Sequence, residues 1–176
     1  MRQALKLHPE SHCAAATQIE VEATRPRPGN LLLQYVVTGK TSDLVLPRLT
    51  ATARADELWR HTCFEAFIGA GAGYYEFNFA PSTQWAAYRF ASTRSGMRAA
   101  NEVGAPRIEL RSYGTGFELL VSLDLPHDAA GRLGLVAVIE EANGRLSFWA
   151  LAHPPGKPDF HHSDCFALEL PAVVRP

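Results

Sequence analysis

The chain has 176 residues, of which 47% are hydrophobic and 20% charged. That length corresponds to one domain able to bury a sizeable core, and that composition excludes disordered and fibrous classes. Seventeen basic against eighteen acidic residues give a formal charge of −1, which excludes the basic footprint of a nucleic-acid or anionic-membrane partner.

The opening stretch, Met1 to Pro9, has no apolar run of secretory length. Three cysteines, Cys13, Cys63 and Cys165, are too few and too odd in number for a disulfide framework. Both features lead to the expectation of a reduced, cytoplasmic protein. No apolar run approaches the roughly 18 residues of a membrane span.

Helical periodicity is scarce, while period-two runs recur along the chain. Ile19, Val21 and Ala23 alternate with Glu20 and Glu22. Leu31 to Thr38 is denser and predicts a strand covered on both faces. Leu58 to Ile68 and Tyr74 to Ala80 flank a glycine-rich connection at 69–73, and Gln84 to Ala91 continues the pattern. Arg107 to Tyr113 and Phe117 to Leu123 form a hairpin through Gly114-Thr115-Gly116. Leu133 to Ala142 and Arg145 to Ala152 form another through Asn143-Gly144, the pair preferred where both turn residues need positive φ. Asp164 to Leu170 is a last strand. About ten short strands joined by tight turns read as one all-β domain over 1–176, an antiparallel sandwich or flattened barrel. Two longer loops interrupt it, at 91–106 and 152–163, and loops of that length on a rigid scaffold are often functional.

Parity singles out the residues around position 65. On an extended strand Trp59, His61, Cys63, Glu65 and Phe67 share one face, and Tyr74, Glu76 and Asn78 share one on the next. Glu65, Glu76 and Asn78 on a common sheet face would form a polar patch floored by aromatic rings. Sugar recognition requires that combination, because hydroxyls need fixed acceptors and donors while the C–H face of the ring needs an aromatic plate. The bland alternatives are a solvated sheet face, or Glu65 paired with Arg60 or Arg89.

The block Glu57-Leu-Trp-Arg-His-Thr-Cys-Phe-Glu-Ala-Phe-Ile-Gly69, followed by Tyr75-Glu-Phe-Asn-Phe-Ala-Pro-Ser82 and Trp85-Ala-Ala-Tyr88, resembles the DOMON-like proteins, relatives of the family 9 carbohydrate-binding modules. Glu65-Ala-Phe67, Phe77-Asn78-Phe79-Ala80-Pro81 and Trp85 carry the likeness. The tail from Trp149 to His162, with Cys165-Phe166, is similar to the bacterial stand-alone members. The resemblance spans about Ile19 to Leu170. It implies a jelly-roll-like β-sandwich of roughly ten strands. It also implies sugar or haem as ligand classes, with a terminal sugar clamped between tryptophans in the carbohydrate-binding relatives. Trp59, Trp85 and Trp149 are the tryptophans of this chain. Lack of a secretory run departs from those relatives and favours a small intracellular sugar or another metabolite.

The expected function is non-catalytic binding of a small polar ligand, a carbohydrate or sugar derivative, without a cofactor. Trp59, Trp85 and Tyr88 are the expected stacking surface. Glu65, Glu76, Asn78 and Arg89 are the expected hydrogen-bonding groups, with His61 on their strand. His153, Lys157, Asp159 and His161 are expected to border the pocket. Self-association into a homo-oligomer is left open. The alternatives are haem, with Met97 as the only non-initiator methionine, or a metal site or metal-dependent enzyme built from His153, His161, His162 and Cys165. The spacing of those residues matches no closed zinc signature, and no nucleophile elbow, phosphate loop or dinucleotide fingerprint occurs.

Overall fold

The computed structural model describes residues 2–174. Its strands are β1 (Gln3–Ala4), β2 (Lys6–Leu7), β3 (Ala16–Thr24), β4 (Asn30–Gly39), β5 (Cys63–Ala70), β6 (Gly73–Phe79) and β7 (Trp85–Phe90). They continue with β8 (Arg98–Ala99), β9 (Arg107–Tyr113), β10 (Gly116–Asp124), β11 (Ala129–Glu140), β12 (Leu146–Ala150) and β13 (Leu168–Glu169). A five-stranded sheet runs β1-β3-β4-β10-β9, and an eight-stranded sheet runs β2-β12-β11-β5-β6-β7-β8 with β13 paired to β11. All of these strand pairings are antiparallel, and the two sheets pack as a sandwich. The sandwich agrees with the sequence reading. Strands beyond the expected ten are two-residue pieces, too short to show a period.

Between the sheets lies one continuous core. Ile19, Val21, Leu31, Leu33 and Tyr35 meet Phe64, Ile68, Phe77 and Phe79 there, all 3% exposed or less. The Tyr35 hydroxyl crosses the interface and donates to the Glu65 carbonyl at 2.8 Å. A hairpin forms at Asn143-Gly144, but only Gly144 takes a positive φ, +82°, not both residues as expected. The Gly144 N–H donates to the Glu141 carbonyl at 2.8 Å, so the turn spans Glu141 to Gly144 and is longer than a two-residue loop.

Both faces of the central strands of the large sheet are covered. The outer face of β5, β6, β7 and β11 carries Phe67, Tyr74, Tyr88, Phe90 and Val136, with Leu58, Phe160 and Phe166 packed over them. Those three come from the segments before β5 and after β12, so two irregular stretches roof the sheet. Gly134 of β11 allows close roofing, since a Cβ there would lie 3.0 Å from the Cys165 oxygen and from Phe166 Cδ1. β4, expected to be covered on both faces, is not. Leu32 is 38% exposed and Gln34 half-buried, because the five-stranded sheet leaves its outer face open.

Three boundaries also differ. The Leu58 to Ile68 run is broken: Glu57 takes a left-handed conformation at φ 58° and Leu58–Arg60 form a 3-10 turn, so the strand starts at Cys63. Asp164 to Leu170 yields a 3-10 turn at Ser163–Cys165 and only Leu168–Glu169 as strand. The 91–106 loop contains β8, paired with β7. Among the described residues no helix is long and apolar enough to cross a membrane.

Tyr35→Phe deletes the hydrogen bond between the sheets while keeping the packed ring. A loss of about 1 kcal/mol in unfolding free energy is expected, measured by denaturant titration with an unchanged slope. An unchanged midpoint would show that the hydroxyl contributes nothing.

Candidate functional site

Register assembles the polar group of the outer face. Pairing of β5 with β6 sets Glu65 opposite Asn78 and Phe67 opposite Glu76, and pairing of β6 with β7 sets Glu76 opposite Tyr88. Glu65 and Glu76 are therefore diagonal neighbours on one face. The roof leaves them 3% and 7% exposed, and Asn78 1%. Asn78 Nδ2 donates to Glu76 Oε1 at 2.8 Å, and Cys63 Sγ lies 3.7 Å from Asn78 Oδ1. The Tyr88 hydroxyl donates to Asp56 Oδ1 at 2.6 Å, tying β7 to the segment before β5. Among the described residues the Glu65 carboxyl accepts no hydrogen bond and pairs with no cation.

Electrostatics follow from that burial. Glu65 is pushed well above the ordinary carboxyl range by burial and then by the Glu76 charge. Burial also raises Glu76, against the Asn78 hydrogen bond and the Arg94 charge. The pair thus favours holding a proton.

His161, from the roof, completes the group. Its Nδ1 lies 2.8 Å from the Tyr74 hydroxyl and its Nε2 lies 3.7 Å from Glu76 Oε2. Phe67 and Phe90 stand edge-on to the imidazole at 5.3 and 5.0 Å between centroids. Burial first, then the Arg94 charge, lowers its pKa to about 4, so it is neutral at pH 7 and gives Glu76 no counter-charge. With its proton on Nε2, the ring accepts from Tyr74 and turns its N–H toward Glu76. Arg94 closes the arrangement from the 91–97 turn. Its backbone N–H donates to the Tyr74 hydroxyl at 3.2 Å, and its guanidinium holds Asp159 Oδ1 at 2.8 and 3.1 Å. Arg94 itself sits at φ 53°, a left-handed backbone outside glycine.

A cleft of about 600 Å³ opens where the roof ends. Tyr74 and Phe166 line it, 5.5 Å apart between ring centroids. Ser92, Thr93, Ser163, Asp164 and Arg132 supply its polar lining. Gly69 and Gly73 also line it, and Gly73 has no alternative, because a Cβ there would collide with the Phe90 carbonyl of the neighbouring strand. Tyr74 and His161 stand between this cleft and Glu76. A second recess, about 270 Å³, lies on the open face of the five-stranded sheet over Leu32 and Leu120 and contains no aromatic ring.

Of the residues expected to act together, the structure gathers Glu65, Glu76, Asn78, Tyr88, His161 and, through Arg94, Asp159. It separates the others. Trp85 is 4% exposed in the core between the sheets, with the Arg54 guanidinium 4.3 Å from its ring centroid. Odd and even positions of β7 face opposite ways, so Trp85 and Tyr88 cannot share a stacking surface. Trp59 is 48% exposed on the 3-10 turn, beside Arg60, and Trp149 is buried in the core. No tryptophan clamp forms. Arg89 also lies on the inner parity. It donates to the carbonyls of Ala70, Tyr74 and Phe90 and stacks on Tyr75. Neither Arg60 nor Arg89 pairs with Glu65: Arg60 pairs with Glu57, and Arg89 lies 3.7 Å from Asp128. His61 is exposed and 2.7 Å from Glu140. His153 bonds the Lys6 carbonyl at 2.7 Å and stands edge-on to His8, and Lys157 is exposed.

The metal candidates are also dispersed. His162 Nδ1 accepts from the Asp164 N–H, and Cys165 Sγ donates to the Asp159 carbonyl at 3.1 Å. Burial pushes the Cys165 thiol up to about 11. Among the described residues no group of three or more His, Cys, Asp or Glu is placed to hold a metal ion. Met97, the haem candidate, is 59% exposed. Sequence reasoning left Asp56, Tyr74, Arg94, Arg132 and Phe166 out of the expected site. For Tyr74 a signal existed, its shared parity with Glu76; the others come from irregular segments or from a strand read only for its apolar positions.

Comparison of the chain with family models, curated proteins and solved structures finds no match.

Folded Glu65 keeps its proton to higher pH than the unfolded chain, so the native state binds more protons above about pH 4.5 and loses stability as pH rises from there. Glu65→Gln removes that loss. The variant is expected to be more stable than the parent at pH 7, by on the order of 1 kcal/mol or more, with the difference vanishing below pH 4.5 in thermal unfolding. A variant less stable at pH 7 than at pH 4, relative to the parent, would mean that Glu65 is ionised and usefully paired.

Proposed function

We propose that the chain is a DOMON-like binding domain, related to the family 9 carbohydrate-binding modules, that holds a small polyhydroxy ligand of the sugar type in the 600 Å³ cleft. The observation that carries this reading is the make-up of that cleft. Two aromatic rings, Tyr74 and Phe166, border a space that also presents the hydroxyls of Ser92, Thr93 and Ser163. Ligand sites of several hundred Å³ combine an apolar wall with a few fixed polar groups, and sugars use both. Among the described residues those hydroxyls make no side-chain hydrogen bond, which leaves them available.

Binding is favoured over turnover by the placement of the acid pair. Glu65 and Glu76 are the residues suited to glycoside chemistry, but they sit under the roof, with Tyr74 and His161 between them and the cleft. Their role in this reading is to hold a proton and fix His161 and Tyr74, so that the cleft wall keeps its shape. Cys13, Cys63 and Cys165 are all free thiols, which supports the cytoplasm as the place of action.

The test is a thermal-shift and calorimetric screen of monosaccharides, disaccharides and sugar acids. A ligand at about a hundred times its Kd raises stability by about 2.7 kcal/mol, a shift readily seen. For a ligand so found, Phe166→Ala and Tyr74→Ala should weaken binding by tenfold or more, since each removes a stacking wall. Tyr74→Phe keeps the ring and should retain most of the affinity. Trp59→Ala, outside the cleft, should leave it unchanged. Loss of binding in Trp59→Ala with no effect at Phe166 would place the ligand elsewhere.

A further inference from the structure

The cleft holds two charges that nothing else uses. Arg132, on the outer parity of β11, lines it and forms no ion pair or side-chain hydrogen bond among the described residues. Its neighbour across the ladder, Glu169 of β13, makes no ion pair with it there. Asp164 lines the same cleft, and among the described residues its one ion-pair contact is with His162 at 3.6 Å, which counts only when His162 is protonated. Arg132 and Asp164 therefore share a cavity without neutralising each other. Arg94, the arginine that clamps the roof, is occupied by Asp159.

We infer that the ligand of this cleft is a sugar acid, its carboxylate taken by the Arg132 guanidinium and its hydroxyls by Asp164 and the serine and threonine side chains. The inference rests on the sugar-binding reading above and narrows it. A guanidinium presents a planar pair of N–H donors that matches a carboxylate, while the Asp164 carboxylate oxygens offer acceptors for a hydroxyl. One guanidinium pairs with one carboxylate, and the nearby Asp164 disfavours any further negative charge. A phosphate dianion would bring twice the negative charge up to Asp164, so the carboxylate is the better match.

The probes are galacturonate and glucuronate against galactose and glucose, titrated calorimetrically at low salt into the parent protein, Arg132→Gln and Arg132→Lys. Arg132 is exposed, so both variants should unfold at the parent's temperature. In the parent, at least one acid should bind about tenfold or more tightly than its neutral counterpart, and added salt should narrow the gap. Arg132→Gln should bring the acid down to the affinity of the neutral sugar, and Arg132→Lys should restore only part of the preference. Equal binding of acid and neutral sugar in the parent, or a preference that survives in Arg132→Gln, overturns the sugar-acid assignment while leaving sugar binding in place. If no probe and no other sugar binds, the sugar-binding reading falls and takes this inference with it.

Discussion

The large sheet has to be covered twice, and the rest of the structure depends on how that is done. One face of β5, β6 and β7 closes the sandwich through Phe64, Phe77 and Phe79. The other face carries Phe67, Tyr74 and Phe90, rings too large to leave in water. Among the described residues no third sheet and no α-helix is available to bury them, so two irregular segments with short 3-10 turns do it, anchored by Leu58, Phe160 and Phe166. Irregular backbone covers a flat face incompletely. The cleft lies where the cover stops, over the glycines of the β5–β6 connection, and its aromatic walls are the last rings of the covered face.

The same cover explains the electrostatics. Glu65, Glu76 and Asn78 stand in register among those rings, and roofing the rings roofs the carboxyls as well. Two carboxyls in a dry place with no cation between them retain a proton, and a histidine in the same place loses its own. Neutral His161 is held by the Tyr74 hydroxyl and stands 3.7 Å from Glu76, and Arg94 clamps the roof to the neighbouring turn through Asp159. Burying acids without counter-ions is costly, and stability alone gives no reason for it. On the proposed binding reading, a fixed Tyr74 at the lip of the cleft gives one.

Fold and site differed in how legible they were. Period-two runs and the glycine of the Asn143-Gly144 turn locate the long strands because alternation and a positive-φ glycine are local properties. Their faces were harder to read. Leu31 to Thr38 looks doubly buried but leaves Leu32 over an open recess, whereas the alternating Tyr74 to Ala80 run is the one enclosed on both sides. An alternating strand records which residues share a face, not what covers that face. Parity did group Glu65 with Glu76 and Asn78. It misled at Trp59 and His61, where the left-handed Glu57 ends the extended chain, and aromatic content misled at Trp85, whose position on β7 turns it into the core. Arg94 and Phe166 reach the site through loop paths and roof packing, which no local pattern encodes, and Arg132 lies on β11 just before the run read as strand from Leu133.

The central claim is that ligand binds at the edge of the roof, and backbone amide NMR mapping with galacturonate tests it most directly. Perturbations should gather at Gly73, Tyr74, Ser92, Thr93, Arg132 and Ser163, the residues bordering the cleft, and spread weakly to His161. Perturbations confined to Leu32, Gln34 and Leu120 on the open sheet, with the cleft silent, would contradict it.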